Sequence, residues 1–324
     1  MSKATDKPRV LVTRKLPDAV EARLRRDYDA VLQKEGEVLG AEEIAALAEK
    51  KDVVLSCAAD PIRRDTIDRF PQSVRMIANY SVGFEHIDLE AARARGIVVT
   101  NTPDVLTDAT ADMAMMLMLS AARRMRDGEK MLRDKRWTGW NPTQLMGIEM
   151  TGKRLGIIGM GRIGRAVARR ARAFDMTVHY HNRNRLTPEH ELGAIYHGDP
   201  EELLRHSDFL SLHCPLTPTT RHFINAERIA LLPERAVVVN TARGPVIDDA
   251  ALIDALRTGR VAAAGLDVFE GEPDVNPGYF DLPNLVMLPH MGSATVETRN
   301  AMGFLVLDNM DAFFRGEEPP CRIA

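Results

Sequence analysis

Short apolar runs alternate with stretches of helical periodicity along nearly all of the 324-residue chain. In the first third the strand-like runs are Arg9–Thr13, Asp52–Cys57, Arg75–Asn79 and Ile97–Thr100. Helical spacing marks Asp18–Arg26, Glu42–Glu49, Arg64–Phe70 and Leu89–Arg95 between and around them. Apolar strands separated by helices imply a parallel sheet covered on both faces. The rhythm breaks at 107–137, which reads as one long helical pattern. Its Met113, Met115, Met116, Leu117, Met118 and Leu119 leave little polar face, so the pattern predicts a buried helix serving the core or a subunit interface. Strand-like runs resume at Arg154–Gly159, Thr177–His181, Phe209–His213, Ala236–Asn240, Ala262–Val268 and Leu285–Pro289. Asp199-Pro200-Glu201-Glu202 offers an N-cap, a proline at the first helical position and a capping-box acid. A closing helical stretch, Ala294–Phe314, is stopped by Gly316 and Pro319-Pro320. The chain is long for a single core, so two α/β domains are expected.

Composition narrows the class. The chain is 45% hydrophobic and 27% charged with a formal net charge of −3, and its acids and bases are interspersed. Nothing in that balance favours nucleic acid or an acidic membrane as partner. The longest greasy stretch, Ala109–Ala122, carries Asp112 and is too short to span a bilayer. The polar residues before Val10 contain no apolar core of a secretory signal. Cys57, Cys214 and Cys321 are too scattered for a disulfide framework or a zinc ligand set. His179 and His181 alternate as ordinary strand residues with no third ligand suitably placed, so no metal is expected. A cytoplasmic protein is the expectation.

The sharpest local motif is Gly159-Met160-Gly161-Arg162-Ile163-Gly164. Glycine is common, so the string alone is weak; its setting strengthens it. It follows the apolar Leu155-Gly-Ile-Ile158 and opens a helical stretch with Ile163, Val167, Ala171 and Phe174 on one face. A second strand follows at Thr177–His181. In such a βαβ unit the glycines allow the tight turn, the approach of backbone to a pyrophosphate and close helix–strand packing. About twenty residues beyond the first glycine an acid normally binds the ribose hydroxyls of NAD. Asn182, Arg183 and Arg185 stand in that region instead. A neutral amide followed by arginines suits a 2′-phosphate, so NADPH is the expected cofactor, with NADH possible.

Three further motifs fall at predicted strand ends, where ligands gather in open α/β sheets. They are Asn240-Thr241-Ala242-Arg243-Gly244, then Asp267-Val-Phe-Glu-Gly-Glu272-Pro273, then His290-Met-Gly292-Ser-Ala294. Arginine fixes a carboxylate by paired hydrogen bonds. Histidine passes a proton near neutral pH, and a carboxylate beside it holds its tautomer.

With Ser81-Val82-Gly83, Val99-Thr-Asn-Thr-Pro103, Thr107-Asp-Ala-Thr-Ala-Asp112 and Leu212-His-Cys-Pro-Leu-Thr217, these motifs resemble the D-isomer-specific 2-hydroxyacid dehydrogenase family along nearly the whole chain. Trp137-Thr-Gly-Trp140-Asn-Pro142 and the run Pro289–Asn300 resemble its glyoxylate/hydroxypyruvate reductase branch. The resemblance implies reduction of a small 2-keto acid to the D-2-hydroxy acid. It implies two doubly wound parallel-sheet domains: a flavodoxin-like substrate domain, residues 1–101 and 290–324, and a Rossmann nucleotide domain, residues 102–289, closing over the reactants. It further implies that Arg243 binds the substrate carboxylate, that His290 is the acid–base and that Glu272 is its partner. The Val82 and Gly83 amides would hold the other carboxylate oxygen. Asp267 would bind the nicotinamide carboxamide, and Cys214, Pro215, Thr241, Ala242, His290 and Gly292 would line the cofactor site. Trp140 would reach the neighbouring active site of a homodimer. Formate and phosphoglycerate dehydrogenases fit less well, the first because Glu272 stands where those enzymes are thought to carry glutamine. A related dehydrogenase of another substrate and a nucleotide-sensing corepressor on the same fold are the alternatives.

Overall fold

A computed structural model describes residues 7–324; the polar run before Lys7 lies outside the described residues. The chain divides into two units, one comprising the residues up to Leu106 together with Ala294–Ala324, the other Thr107–Ser293.

The first unit holds a five-stranded sheet of order β2-β1-β3-β4-β5. Its strands are β1 (Arg9–Val12), β2 (Asp29–Val31), β3 (Val53–Cys57), β4 (Met76–Tyr80) and β5 (Val98–Thr100). Every pairing is parallel, in the doubly wound order of flavodoxin-like folds. Consecutive residues such as Val10, Leu11 and Val12 are fully buried, as strands covered on both faces require. The last residues pair with β5 through Val99 N to Ala324 O (2.9 Å) and Ile323 N to Val99 O (2.8 Å), which ties the tail to this unit.

The second unit holds a seven-stranded sheet of order β12-β11-β10-β9-β6-β7-β8. These are β6 (Arg154–Ile158), β7 (Thr177–His181), β8 (Ile195–Tyr196), β9 (Phe209–Leu212), β10 (Ala236–Asn240), β11 (Val261–Leu266) and β12 (Leu285–Met287). All are parallel. The chain leaves β6 towards β7 on one side and returns to β9 on the other, so β6 and β9 flank the switch point where such sheets bind ligands.

Three expectations are corrected. The long helical pattern 107–137 is two helices, Thr107–Ala122 and Met125–Arg133, broken where Arg124 turns left-handed at φ 52°. The carbonyl of Ala122 is taken by the distant Ile148 N at 2.8 Å, which stops the first helix. Met115, Leu117 and Met118 are buried, whereas Met116 is 43% exposed and the second helix has no buried residue. Asp199 caps its helix through Glu201 N (2.9 Å), but Glu202 lies 3.4 Å from His197 Nδ1 rather than closing a capping box. The unit borders fall after Leu106 and Ser293, beyond the expected 101 and 289; the 290–292 turn stays with the second unit through its hydrogen bonds to Asp267. Among the described residues no helix is long and apolar enough to cross a membrane.

Candidate active site

The switch point is built from glycine. Gly159 turns the chain after β6 at φ 92°, and a Cβ there would stand 2.6 Å from Cys214 N. Only glycine lets this turn lie against the one that follows β9. A Cβ at Gly164 would stand 2.5 Å from Gly159 O, so the helix Arg162–Arg172 seats directly on the turn. Gly161 is that helix's N-cap and offers no side chain, and among the described residues beyond its chain neighbours no atom lies within 4 Å of where its Cβ would be. Orphan first-turn amides beside open space suit a pyrophosphate. Met160 is buried and Ile163 packs on the core, while Arg162 is exposed.

The loop after β7 is fixed at several points. Asn182 Oδ1 accepts from Met160 N at 2.7 Å, joining the loop to the glycine turn. Tyr180 OH donates to Glu191 (2.7 Å) and accepts from Leu186 N (3.1 Å). Arg185 grips both oxygens of the buried Glu191, at 2.7 and 3.2 Å, and lies over the Tyr196 ring. Two of its donors are therefore committed within the chain. Arg183 is exposed and, among the described residues, forms no hydrogen bond or ion pair.

The proton-handling groups gather at the ends of β10, β11 and β12. Asn240 bridges its turn, accepting from Ala242 N at 2.9 Å and donating to Arg243 O at 2.9 Å. His213 Nδ1 stands 3.4 Å from Thr241 Oγ1, and burial pushes this histidine down to about 4. Cys214 is buried and its thiol is pushed up to about 11 by burial; the neighbouring Pro215 carbonyl accepts from Thr220 Oγ1 at 2.7 Å. Asp267 is buried and accepts from Met291 N and Gly292 N, each at 2.7 Å. Burial raises its pKa above the ordinary carboxylate value against those bonds. His290 sits left-handed at φ 52°, held by its own amide on Asp267 O (2.9 Å). A bulky residue in that region is sparsely populated and marks a position that its surroundings enforce.

His290 Nδ1 stands 2.8 Å from Glu272 Oε2, and Glu272 Oε1 accepts from Phe269 N at 2.7 Å. Burial works to raise the Glu272 pKa, but the His290 bond and charge, the Phe269 amide and the Arg243 charge outweigh it and hold the carboxyl below its usual value. Glu272 is thus ionised, its partner nitrogen carries the proton, and Nε2 is left for chemistry. Arg243 influences the same carboxylate, so arginine, glutamate and histidine form one electrostatic group.

In the first unit the carbonyls of Ser81, Val82 and Gly83 accept from Thr102 N, Asn101 Nδ2 and Asn79 Nδ2 at 2.9–3.0 Å. Those bonds fix the loop, and neither the Val82 nor the Gly83 amide donates to another described group. Trp140 is 83% exposed. Glu191 and Glu270 are not singled out by the sequence; Glu191's signal is its place six residues beyond Arg185.

The profile of the family described as D-isomer specific 2-hydroxyacid dehydrogenase, NAD binding domain, matches residues 115–292. A glycerate dehydrogenase of Hyphomicrobium methylovorum is 43% identical over 96% of this chain and 98% of its own. A glyoxylate reductase of Pyrococcus furiosus is 44% identical over 97% and 94%. Among solved structures, an NADPH-dependent glyoxylate/hydroxypyruvate reductase from Sinorhizobium meliloti, in complex with NADP and malonate, superposes with a TM-score of 0.88. It is 37% identical, over 98% of this chain and 97% of that one.

Proposed function

Because the chain belongs to the D-isomer specific 2-hydroxyacid dehydrogenase family and is an NAD(P)-dependent dehydrogenase, we propose that it reduces glyoxylate or hydroxypyruvate to the D-2-hydroxy acid, with NADPH preferred over NADH. The observation that carries the reading is the 2.8 Å His290–Glu272 pair within the field of Arg243.

The uncapped glycine turn fits a dinucleotide pyrophosphate, held by residues 159–164. Pro215, Thr241, Ala242 and Gly292 line the remainder of the cofactor site, and Asp267 keeps acceptor capacity for a carboxamide beyond its two amide bonds. The bound nicotinamide supplies the hydride; charge and proton are handled by this chain. Arg243 pairs with the substrate carboxylate. His290, doubly protonated, donates from Nε2 to the keto oxygen as that oxygen gains charge. Glu272 keeps Nδ1–H in place and offsets the imidazolium. In the first unit the Val82 and Gly83 amides, which donate to no other described group, are available to a carboxylate oxygen.

NADPH preference rests on Arg183, an exposed cation at the end of β7, where no acid stands to repel a 2′-phosphate. A homodimer, with Trp140 closing the partner's pocket, is supported by exposed Met116, Trp137, Trp140 and Met146. Free cysteines suit a reducing cytoplasm. Initial rates over a panel of small 2-keto acids with each nucleotide test the reading, and the absence of turnover with NADPH on any of them would refute it.

A further inference from the structure

Two residues before Glu272 stands another carboxylate, and its contacts lead away from the reaction centre. One oxygen of Glu270 is held by the Arg221 guanidinium, and the other lies 2.9 Å from His222 Nε2. His222 is itself left-handed at φ 49°, and its amide donates to Pro245 O at 2.7 Å. Beyond it, Ile224 N donates to Val246 O (3.0 Å) and Asp248 N to Ile224 O (3.0 Å). The segment after β9 is therefore stitched to the chain that follows Arg243.

That second segment meets the third. A Cβ at Gly244 would stand 1.8 Å from the Phe269 carbonyl carbon and 2.2 Å from Glu270 N, so the Arg243–Gly244 backbone lies flush on the turn 269–270. Phe269 N in turn holds Glu272 Oε1 at 2.7 Å. Three loops, from the ends of β9, β10 and β11, thus close into a ring, and the Glu270 carboxylate joins the first to the third.

We propose that Glu270 is a positioning residue, which through Arg221 and His222 fixes the Arg243 and Glu272 loops in register for keto-acid reduction. It rests on the reading of Arg243 and Glu272 given above. It reaches the reaction only through those loops. Asp249 and Tyr279, which also lie in its field, bond to each other at 2.7 Å and are not part of the ring. The glycine turn and the β7 loop take no contact from it among the bonds described, whereas Pro215, Thr241 and Ala242 lie on the tied loops, so the defect of a Glu270 variant falls mainly on the keto acid and only weakly on the nucleotide.

The experiment compares wild type, Glu270→Ala and Glu270→Gln for keto-acid KM and kcat, NADPH dissociation constant by fluorescence, and Tm. Loss of two charge-assisted bonds should lower kcat/KM for the keto acid about tenfold or more in Glu270→Ala. NADPH binding should stay within about twofold, on the same free-energy scale. Glu270→Gln, which keeps the shape and one acceptor, should recover most of the loss. Unchanged keto-acid kinetics in Glu270→Ala overturn the proposal. So does an equal loss of NADPH affinity with a lowered Tm that glutamine does not rescue, since that is a general lesion of the fold. If the alanine variant does not fold, His222→Gln, which removes one strut, decides by the same measurements. Failure of the underlying reading would show in the wild type as absence of keto-acid reduction, whereas failure of this inference shows only in the variants.

Discussion

Two loop regions share the C-terminal edge of the seven-stranded sheet and are finished differently. Around Glu272 and His290 the carboxylates are already spoken for: Asp267 by two amides, Glu272 by an amide and a histidine. After β7 the frame is equally well tied, through Asn182, Tyr180 and Glu191, yet Arg183 is left outside it. A group that must move a proton is aimed before substrate arrives, because reorganising it during reaction would add to the barrier. A group that reads a dianion keeps its charge uncompensated, because an internal partner would have to be broken first.

The comparison breaks most readily at His290. His290→Ala should lower turnover by roughly 10²- to 10⁴-fold, the usual worth of a positioned acid. Near-normal turnover in that variant would remove the catalytic side from the comparison. Because reduction takes up a proton, its kcat/KM should fall with rising pH while oxidation of the hydroxy acid rises. Glu272, held below its ordinary value, stays ionised throughout the neutral range.

A second test sits on β7 itself. His179 is buried, with Nδ1 2.9 Å from His197 Nε2 and His206 stacked on it, and burial together with these neighbours pushes it down to about 4. Unfolded, it titrates near 6.5, so between those values the unfolded chain binds more protons. Its stabilising effect is therefore complete above about pH 6.5 and is lost as pH falls towards 4, up to about 3 kcal/mol. Tm measured from pH 7 to 4.5 should drop, and His179→Phe should flatten that drop. Parallel curves for the two proteins would mean that another group drives the acid loss.

Arg183→Ala should weaken NADPH by about 10- to 150-fold and leave NADH nearly unchanged, the worth of one charge-assisted contact. An unchanged ratio of kcat/KM for the two nucleotides would make the loop plain solvated surface. The smallest effect is expected at Arg185. Its pairing with Glu191 makes it a strut, so Arg185→Ala should shift the NADPH/NADH ratio less than about threefold, within the value of an exposed ion pair. A shift as large as that of Arg183→Ala would reverse the assignment of the two arginines.

Where local chemistry decides the structure, the sequence was easy to read. Thr177–His181 and Ala236–Asn240 coincide with β7 and β10, the first a short alternating run followed by polar Asn182, the second an apolar run flanked by Arg235 and Thr241. The glycine motif lies at the turn after β6 that its strand–helix setting required. Distant partners were not legible. Nothing near Ala122 announces a helix end, because the group that stops it, Ile148 N, lies 26 residues further on. The strands β2 and β8, Asp29–Val31 and Ile195–Tyr196, are too short to show a period. Glu270 went unremarked for a similar reason: its partners lie 48 and 49 residues earlier, beside a neighbour whose role was more conspicuous.

The left-handed backbone at His290 has a practical consequence for anyone randomising that position. At φ 52° the main chain accepts Asn, Asp or Gly most readily and penalises β-branched side chains. The proposed proton transfer needs histidine. A library sorted for solubility or thermal tolerance would therefore enrich one set of sequences, and the same library sorted for turnover would enrich another. Asparagine should rank high in the first sort and vanish from the second, which would give an inert, well-folded form of the protein in which to trap the bound keto acid.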